Sequence, residues 1–197
     1  MAPIKHFHAG QSLIENDKSK ILGLTIGKHE NLQPGTYIPR GGKKPIYPAA
    51  IEFSTNAEQQ KSTEAQDFPK IFFSGADPAR TYMVVCLDID APFAAFNFLS
   101  PILHWMQSDV KVTSDGVLKY DAPFIADYIG PGPPPVGAPH RYLFFLYEQP
   151  AGFDLTAHAP ADGQKMARMS RMRYDFESWA EMVKLGPLVA FNYFTCN

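Results

Sequence analysis

The chain has 197 residues, of which 45% are hydrophobic, enough for one well-buried core. Charged residues make up 19% and the formal net charge is -2, without the clustered basic excess of a nucleic-acid-binding domain. Two cysteines exclude a disulfide scaffold, no run approaches the roughly 20 apolar residues of a membrane span, and the start lacks the apolar stretch of a secretory signal, so a cytoplasmic protein is expected.

Eighteen prolines and fourteen glycines divide the chain into short segments, which favours strands and loops over a helical bundle. The first 35 residues sustain no period and predict a short helix over 11–16 and a strand over 21–26. Residues 35–48, with Pro39, Pro45 and Pro48, read as a loop whose Arg40, Lys43 and Lys44 form a solvated turn. Period-two alternation predicts a strand over 50–54, and a short aromatic run predicts another over 70–74, with a polar, exposed excursion over 55–67 between them. Residues 81–88 are almost continuously apolar, the mark of a strand buried on both faces, and Cys86 inside it reads as an inert thiol. A shorter strand follows at 103–107, then a turn at Asp115-Gly116 between strands over 110–113 and 117–120. Residues 129–139 are dominated by proline and glycine and fit no regular structure, whereas 140–148 is another buried strand. Met166, Met169 and Met172 fall at a spacing that predicts core packing. Asp175 is a helix N-cap before Phe176, Trp179, Ala180 and Val183, and Gly186-Pro187 stops the helix. Residues 188–194 read as a last strand, with Cys196 mobile behind it. No repeat or linker divides the chain, so one domain over 1–197 is expected.

Three loops place polar residues where strands end. Asp88 and Asp90 follow a buried strand, and an extended backbone would put both carboxylates on one side. A buried carboxylate needs donors close by, although an aspartate that simply caps a turn before Pro92 satisfies the same pattern. His104 lies between Leu103 and Trp105, a setting more often occupied by a hydrogen-bonded core histidine than by a catalyst. The loop 129–139 leads into His140, Arg141 and Tyr142; its glycines let backbone N–H groups approach a phosphate or carboxylate, and a rigid surface loop reads the same way. His6 and His8 are too isolated for a metal site, and no P-loop, dinucleotide fingerprint or G-x-S-x-G elbow occurs, so no metal or cofactor is expected.

Together the loops resemble the signatures of the phosphatidylethanolamine-binding protein family. Asp88-Ile-Asp-Ala-Pro92 is similar to its D-P-D-A-P element and His104-Trp105 to its H-W element. Tyr128-Ile-Gly-Pro-Gly-Pro-Pro134, His140-Arg-Tyr142 and Tyr147-Glu-Gln149 resemble its G-x-G-P-P, H-R-Y and Y-E-Q run, and Asn192-Tyr-Phe194 its N-Y-F strand. The texture is nearest to fungal members. The resemblance implies a mostly β fold, a sandwich of antiparallel Greek-key sheets with a few peripheral helices. It also implies a pocket for an anionic small molecule or lipid headgroup, built from Asp88, His104, Gly132 and His140, with Asp90, Pro92, Phe93 and Tyr142 beside them and a cis Ala91–Pro92 bond. The chain departs from the pattern at Ile89, at Phe93, at Ala94-Ala-Phe-Asn-Phe98 and at Phe191, and ends at Asn197; a more apolar, more open rim is expected.

Two functions compete on this reading. A binding module would hold a phosphate- or carboxylate-bearing molecule or headgroup. An enzyme of fungal natural-product biosynthesis, such as a maleidride-type cyclase acting on alkyl maleic anhydrides, would use His104 or His140 as general base with Asp88 orienting a histidine, the phenylalanines seating an alkyl chain. No segment supports protease inhibition. His140→Ala is expected to abolish anion binding with little loss of stability.

Overall fold

The computed structural model describes residues 2–39, 65–134 and 137–197. The strand expected at 50–54, the polar excursion as far as Glu64 and the Arg40, Lys43, Lys44 turn lie outside the described residues. The chain forms helix α1 (Ala2–Asn16), strands β1 (Gly23–Thr25), β2 (Thr36–Tyr37), β3 (Lys70–Phe72), β4 (Tyr82–Asp88), β5 (Ile102–Val112), β6 (Leu118–Lys119), β7 (Phe124–Ala126) and β8 (His140–Glu148), helices α2 (Arg168–Arg171) and α3 (Phe176–Met182), and β9 (Leu188–Cys196). Seven strands make one sheet in the order β2-β9-β8-β4-β5-β6, with β7 also paired to β5, and β1 pairs with β3 in a second sheet of two strands. The ladders are antiparallel except for β2 beside β9, which is parallel. No helix among the described residues is long and apolar enough to cross a membrane.

The central strands carry apolar residues on both faces because both faces are covered. All seven residues of β4 are buried. Tyr82, Val84 and Cys86 point into a core shared with β1 and β3, while Met83, Val85 and Leu87 point into a second core under α1 and α3. That division is the two-residue period of a strand. In β8 the same rule sends Tyr142, Phe144 and Leu146 one way and Leu143, Phe145 and Tyr147 the other.

Helix α1 begins well before the expected 11–16. A mid-helix glycine counts against a helix by about 1 kcal/mol, but here it is a packing requirement. Phe7, Gly10 and Ile14 share one stripe at helical spacing, and a Cβ on Gly10 would lie 2.6 Å from the Phe191 ring. Phe7 and Ile14 are buried beside it. Two other expectations are corrected. Of the methionines, Met166 packs against the second core as expected but Met169 is 77% exposed, and the residue of that segment driven into the interior is Arg171, at 1%. Cys196 is fully buried as the last residue of β9, because its strand pairs with β8 through His140↔Cys196.

Candidate functional site

Strand β5 runs unbroken through the expected 103–107 and 110–113 segments, and its departures from regular pairing are instructive. Cys86 pairs with Trp105 and Leu87 with Leu103, so His104 is an extra residue with no partner in β4. A bulge of this kind re-aims a side chain. The His104 ring meets the Tyr142 ring edge-on at 5.0 Å. Across β4, Asp88 stands opposite Tyr142 in β8. Parity places Asp88, His140 and Tyr142 on one face, and the bulge adds His104 to them.

Asp88 is the hinge of the group. Its Oδ1 accepts the Asp90 N–H at 2.8 Å, and its Oδ2 is 2.9 Å from His140 Nδ1. His140 Nε2 lies 3.1 Å from the Pro92 carbonyl oxygen. A carboxylate and a carbonyl can only accept, so both ring nitrogens donate and His140 is an imidazolium in this arrangement. Burial opposes that charge, but the hydrogen bond and charge of Asp88, then the Asp90 charge and the Pro92 carbonyl, outweigh it and raise the pKa from 6.5. His104 is the opposite case. Its Nδ1 donates to the Ile129 carbonyl at 2.8 Å, which leaves Nε2 as an acceptor. Burial pushes its pKa below 6.5 against the pull of Asp88. One imidazole is therefore held charged and the other neutral, side by side.

Tyr142 is 1% exposed, and its hydroxyl makes no well-formed hydrogen bond among the described residues, although the Gly132 backbone and the Asp88 carboxyl lie close enough to act on it. Burial and the neighbouring Asp88 push the phenol far up, with the backbone of Gly132 acting in the other direction. Gly132 is exposed, and a Cβ there would meet nothing within 4 Å among the described residues. The Ala91–Pro92 bond is cis. Phe93 lies against Gly137 of the same loop, and Phe93, Phe96 and Phe98 are 42%, 67% and 56% exposed, so an aromatic rim follows Pro92 directly.

Asp90 does not join this group. The Asp88–Asp90 hydrogen bond bends the chain out of the extended form, and Asp90 takes a two-pronged bond from Arg141 at 2.8 and 2.7 Å. Arg141 lies over the Phe7 ring, on the α1 side of the sheet. The two carboxylates thus face opposite sides: Asp90 holds the turn, and its charge still acts on His140. Two groups that the sequence did not single out also border it: Asp127 and the buried Arg171, which form an ion pair behind His104. Arg168 and Arg173 stand in the same segment, so no local signal set Arg171 apart. Among the described residues no group of three His, Cys, Asp or Glu side chains is placed to hold a metal ion.

A family model described as phosphatidylethanolamine-binding protein matches residues 28–194. The phomoidride biosynthesis cluster protein N of Talaromyces stipitatus is 32% identical over 120 residues, 57% of this chain and 57% of that protein, so the match spans little more than half its length. The carboxypeptidase Y inhibitor of Saccharomyces cerevisiae is 27% identical over 192 residues, 89% of this chain and 83% of its own. Among solved structures, carboxypeptidase Y inhibitor complexed with its cognate proteinase aligns with a TM-score of 0.66 and 20% identity over 98% of this chain and 92% of that one. The phosphatidylethanolamine-binding protein from Plasmodium vivax aligns with a TM-score of 0.59 and 16% identity, over 89% and 85%. The motifs, the fold and the family model agree: this chain belongs to the phosphatidylethanolamine-binding protein family.

Proposed function

We propose that the protein binds a small molecule that carries a phosphate or carboxylate group and an apolar tail. The observation that carries this reading is the pair of unlike histidines beside a buried hydroxyl. The His140 cation supplies charge, and the Tyr142 O–H is a buried donor that makes no well-formed hydrogen bond among the described residues, the type of group that a ligand oxygen satisfies. An anion would exchange with the Pro92 carbonyl at His140 Nε2. The backbone at Gly132 has room to approach it, and Phe93, Phe96 and Phe98 offer apolar surface for the remainder of the molecule.

A second reading is favoured by the same histidines and by the relative from a biosynthesis cluster: an enzyme of natural-product assembly acting on alkyl-substituted maleic anhydrides or dicarboxylates. The unlike surroundings of the two histidines support a division of roles between them. His104, neutral with Nε2 unprotonated, would take a proton from carbon alpha to a carbonyl, and His140, already charged, would stabilise the oxyanion that develops.

A thermal-shift panel separates these. A ligand that binds only the folded protein stabilises it by about 2.7 kcal/mol at a hundredfold excess over its dissociation constant. A rise with alkyl dicarboxylates or anhydrides, followed by product formation, supports the enzyme. A rise with phosphate, phosphoethanolamine or short phospholipids and no turnover supports the binding module. No rise with any of them removes both readings.

A further inference from the structure

Among the described residues, no strand flanks Leu103 and His104 on one side of β5. β7 pairs with β5 only at Met106↔Ala126 and Gln107↔Phe124, and from Asp127 the chain leaves the ladder. A side chain takes the strand's place. Arg171 Nη1 donates to the carbonyls of Leu103 at 3.2 Å, His104 at 3.4 Å and Asp127 at 2.8 Å. Its Nε donates to Met166 at 3.2 Å, and its Nη2 pairs with the Asp127 carboxylate, which also accepts the Met166 N–H at 2.9 Å. Two residues beyond Asp127, Ile129 closes on His104 from both directions. Its N–H donates to the His104 carbonyl at 2.9 Å, and its carbonyl accepts from His104 Nδ1 at 2.8 Å. A guanidinium that is 1% exposed must be fully paired to be tolerated, and here every partner belongs to the frame that presents one histidine.

We propose that Arg171, with Asp127, is a positioning residue for His104: the guanidinium replaces a neighbouring strand, fixes the 127–129 segment, and thereby keeps Nδ1 on the Ile129 carbonyl and Nε2 free for a ligand. The planar fork is essential, because a lysine cannot reach carbonyls of two separate segments and a carboxylate at once. The charges facing His104 come from Asp88 on β4, from His140, with Tyr142 beside it, on β8, and from Arg171, paired with Asp127, across the sheet edge. Asp88 draws a proton onto the imidazole, while Arg171 and His140 resist it.

The consequence for ligand binding rests on the site proposed above, but the state of the histidine can be read without any ligand. Two variants test the proposal: Arg171→Lys, which keeps the charge and loses the fork, and Arg171→Met combined with Asp127→Asn, which removes both charges. Nitrogen-15 NMR gives the His104 pKa and tautomer, and calorimetry with inorganic phosphate gives affinity. The lysine variant is expected to lose the uniform Nδ1–H tautomer and to bind phosphate on the order of tenfold more weakly, the scale of one hydrogen bond to a charged group. In the neutral double variant the His104 pKa is expected to rise. Folded variants with the wild-type tautomer and His104 pKa would overturn the proposal and leave Arg171 as core packing. If the double variant does not fold, the lysine variant decides. If the wild type binds no phosphate, the tautomer alone decides, so failure of the site and failure of this proposal are told apart.

Discussion

Strand β5 departs from regular pairing with β4 at two places, and the two ends of the sheet treat charge differently. At one end the bulge at His104 stands beside the Asp88–His140 pair, whose side chains are 4% and 3% exposed. At the other end the register shifts again around Ser108 and Asp109, where Asp109 has a φ of 56°, next to Arg80–Glu148 at 54% and 24%. That second end holds a groove of ≈560 Å3 lined by Arg80, Asp109, Glu148, Gln149 and Phe153 among others. Its polar groups answer one another: Gln149 accepts the Asp109 N–H at 2.7 Å and donates to its carboxylate at 2.8 Å. Exposed pairs of this type contribute about 0–1 kcal/mol and ask for no ligand. The first end buries a carboxylate, a cation, a neutral imidazole and a hydroxyl with no well-formed hydrogen bond among the described residues. Chemistry that is costly to bury marks the candidate site better than empty volume does.

The largest effect that can break this contrast is His140→Ala. Leaving Asp88 buried without its imidazole is expected to cost about 3–5 kcal/mol and to abolish phosphate binding, read by denaturant melts and calorimetry. The buried pair revises the expectation of little lost stability. Asp90→Asn removes one acceptor of the Arg141 fork and is expected to cost about 1–3 kcal/mol while phosphate affinity stays within a few-fold. A loss of binding equal to that of His140→Ala would return Asp90 to the site. The pH dependence is two-sided. His140 has a raised folded pKa, so its contribution is complete below 6.5 and fades as pH rises through the folded value. His104 has a lowered one, so its contribution is complete above 6.5 and fades as pH falls through that value. Phosphate binding should follow the first of these, declining toward alkaline pH, and a flat calorimetric profile would remove the His140 cation. The smallest effect is Arg80→Ala at the far end, expected to leave both the thermal melt and phosphate affinity close to wild type.

The long-range features of the fold were the harder ones to read. β4, β8 and the Asp175 cap stand where apolar runs and capping chemistry put them, because those signals are local. Helix α1 reads short because no apolar period is sustained over residues 1–35, and the fit of Gly10 against Phe191, far along the chain, leaves no local signal. The bulge at His104 exists only in the register between β4 and β5, and no pattern within Leu103-His104-Trp105 announces it. The same holds for Asp88 and Asp90: two-residue spacing suggested one shared side, but a turn hydrogen bond divides them. The residues around the candidate site were legible from motifs; their protonation and their separate tasks required the geometry.

The most direct test is a long-range proton–nitrogen correlation spectrum of the histidine side chains near pH 6.5, without and with inorganic phosphate. The expected result is His140 protonated on both nitrogens and His104 on Nδ1 alone, with both sets of signals moving to saturation while exposed His8 stays fixed. A neutral His140, or two histidines that ignore phosphate, would contradict the account.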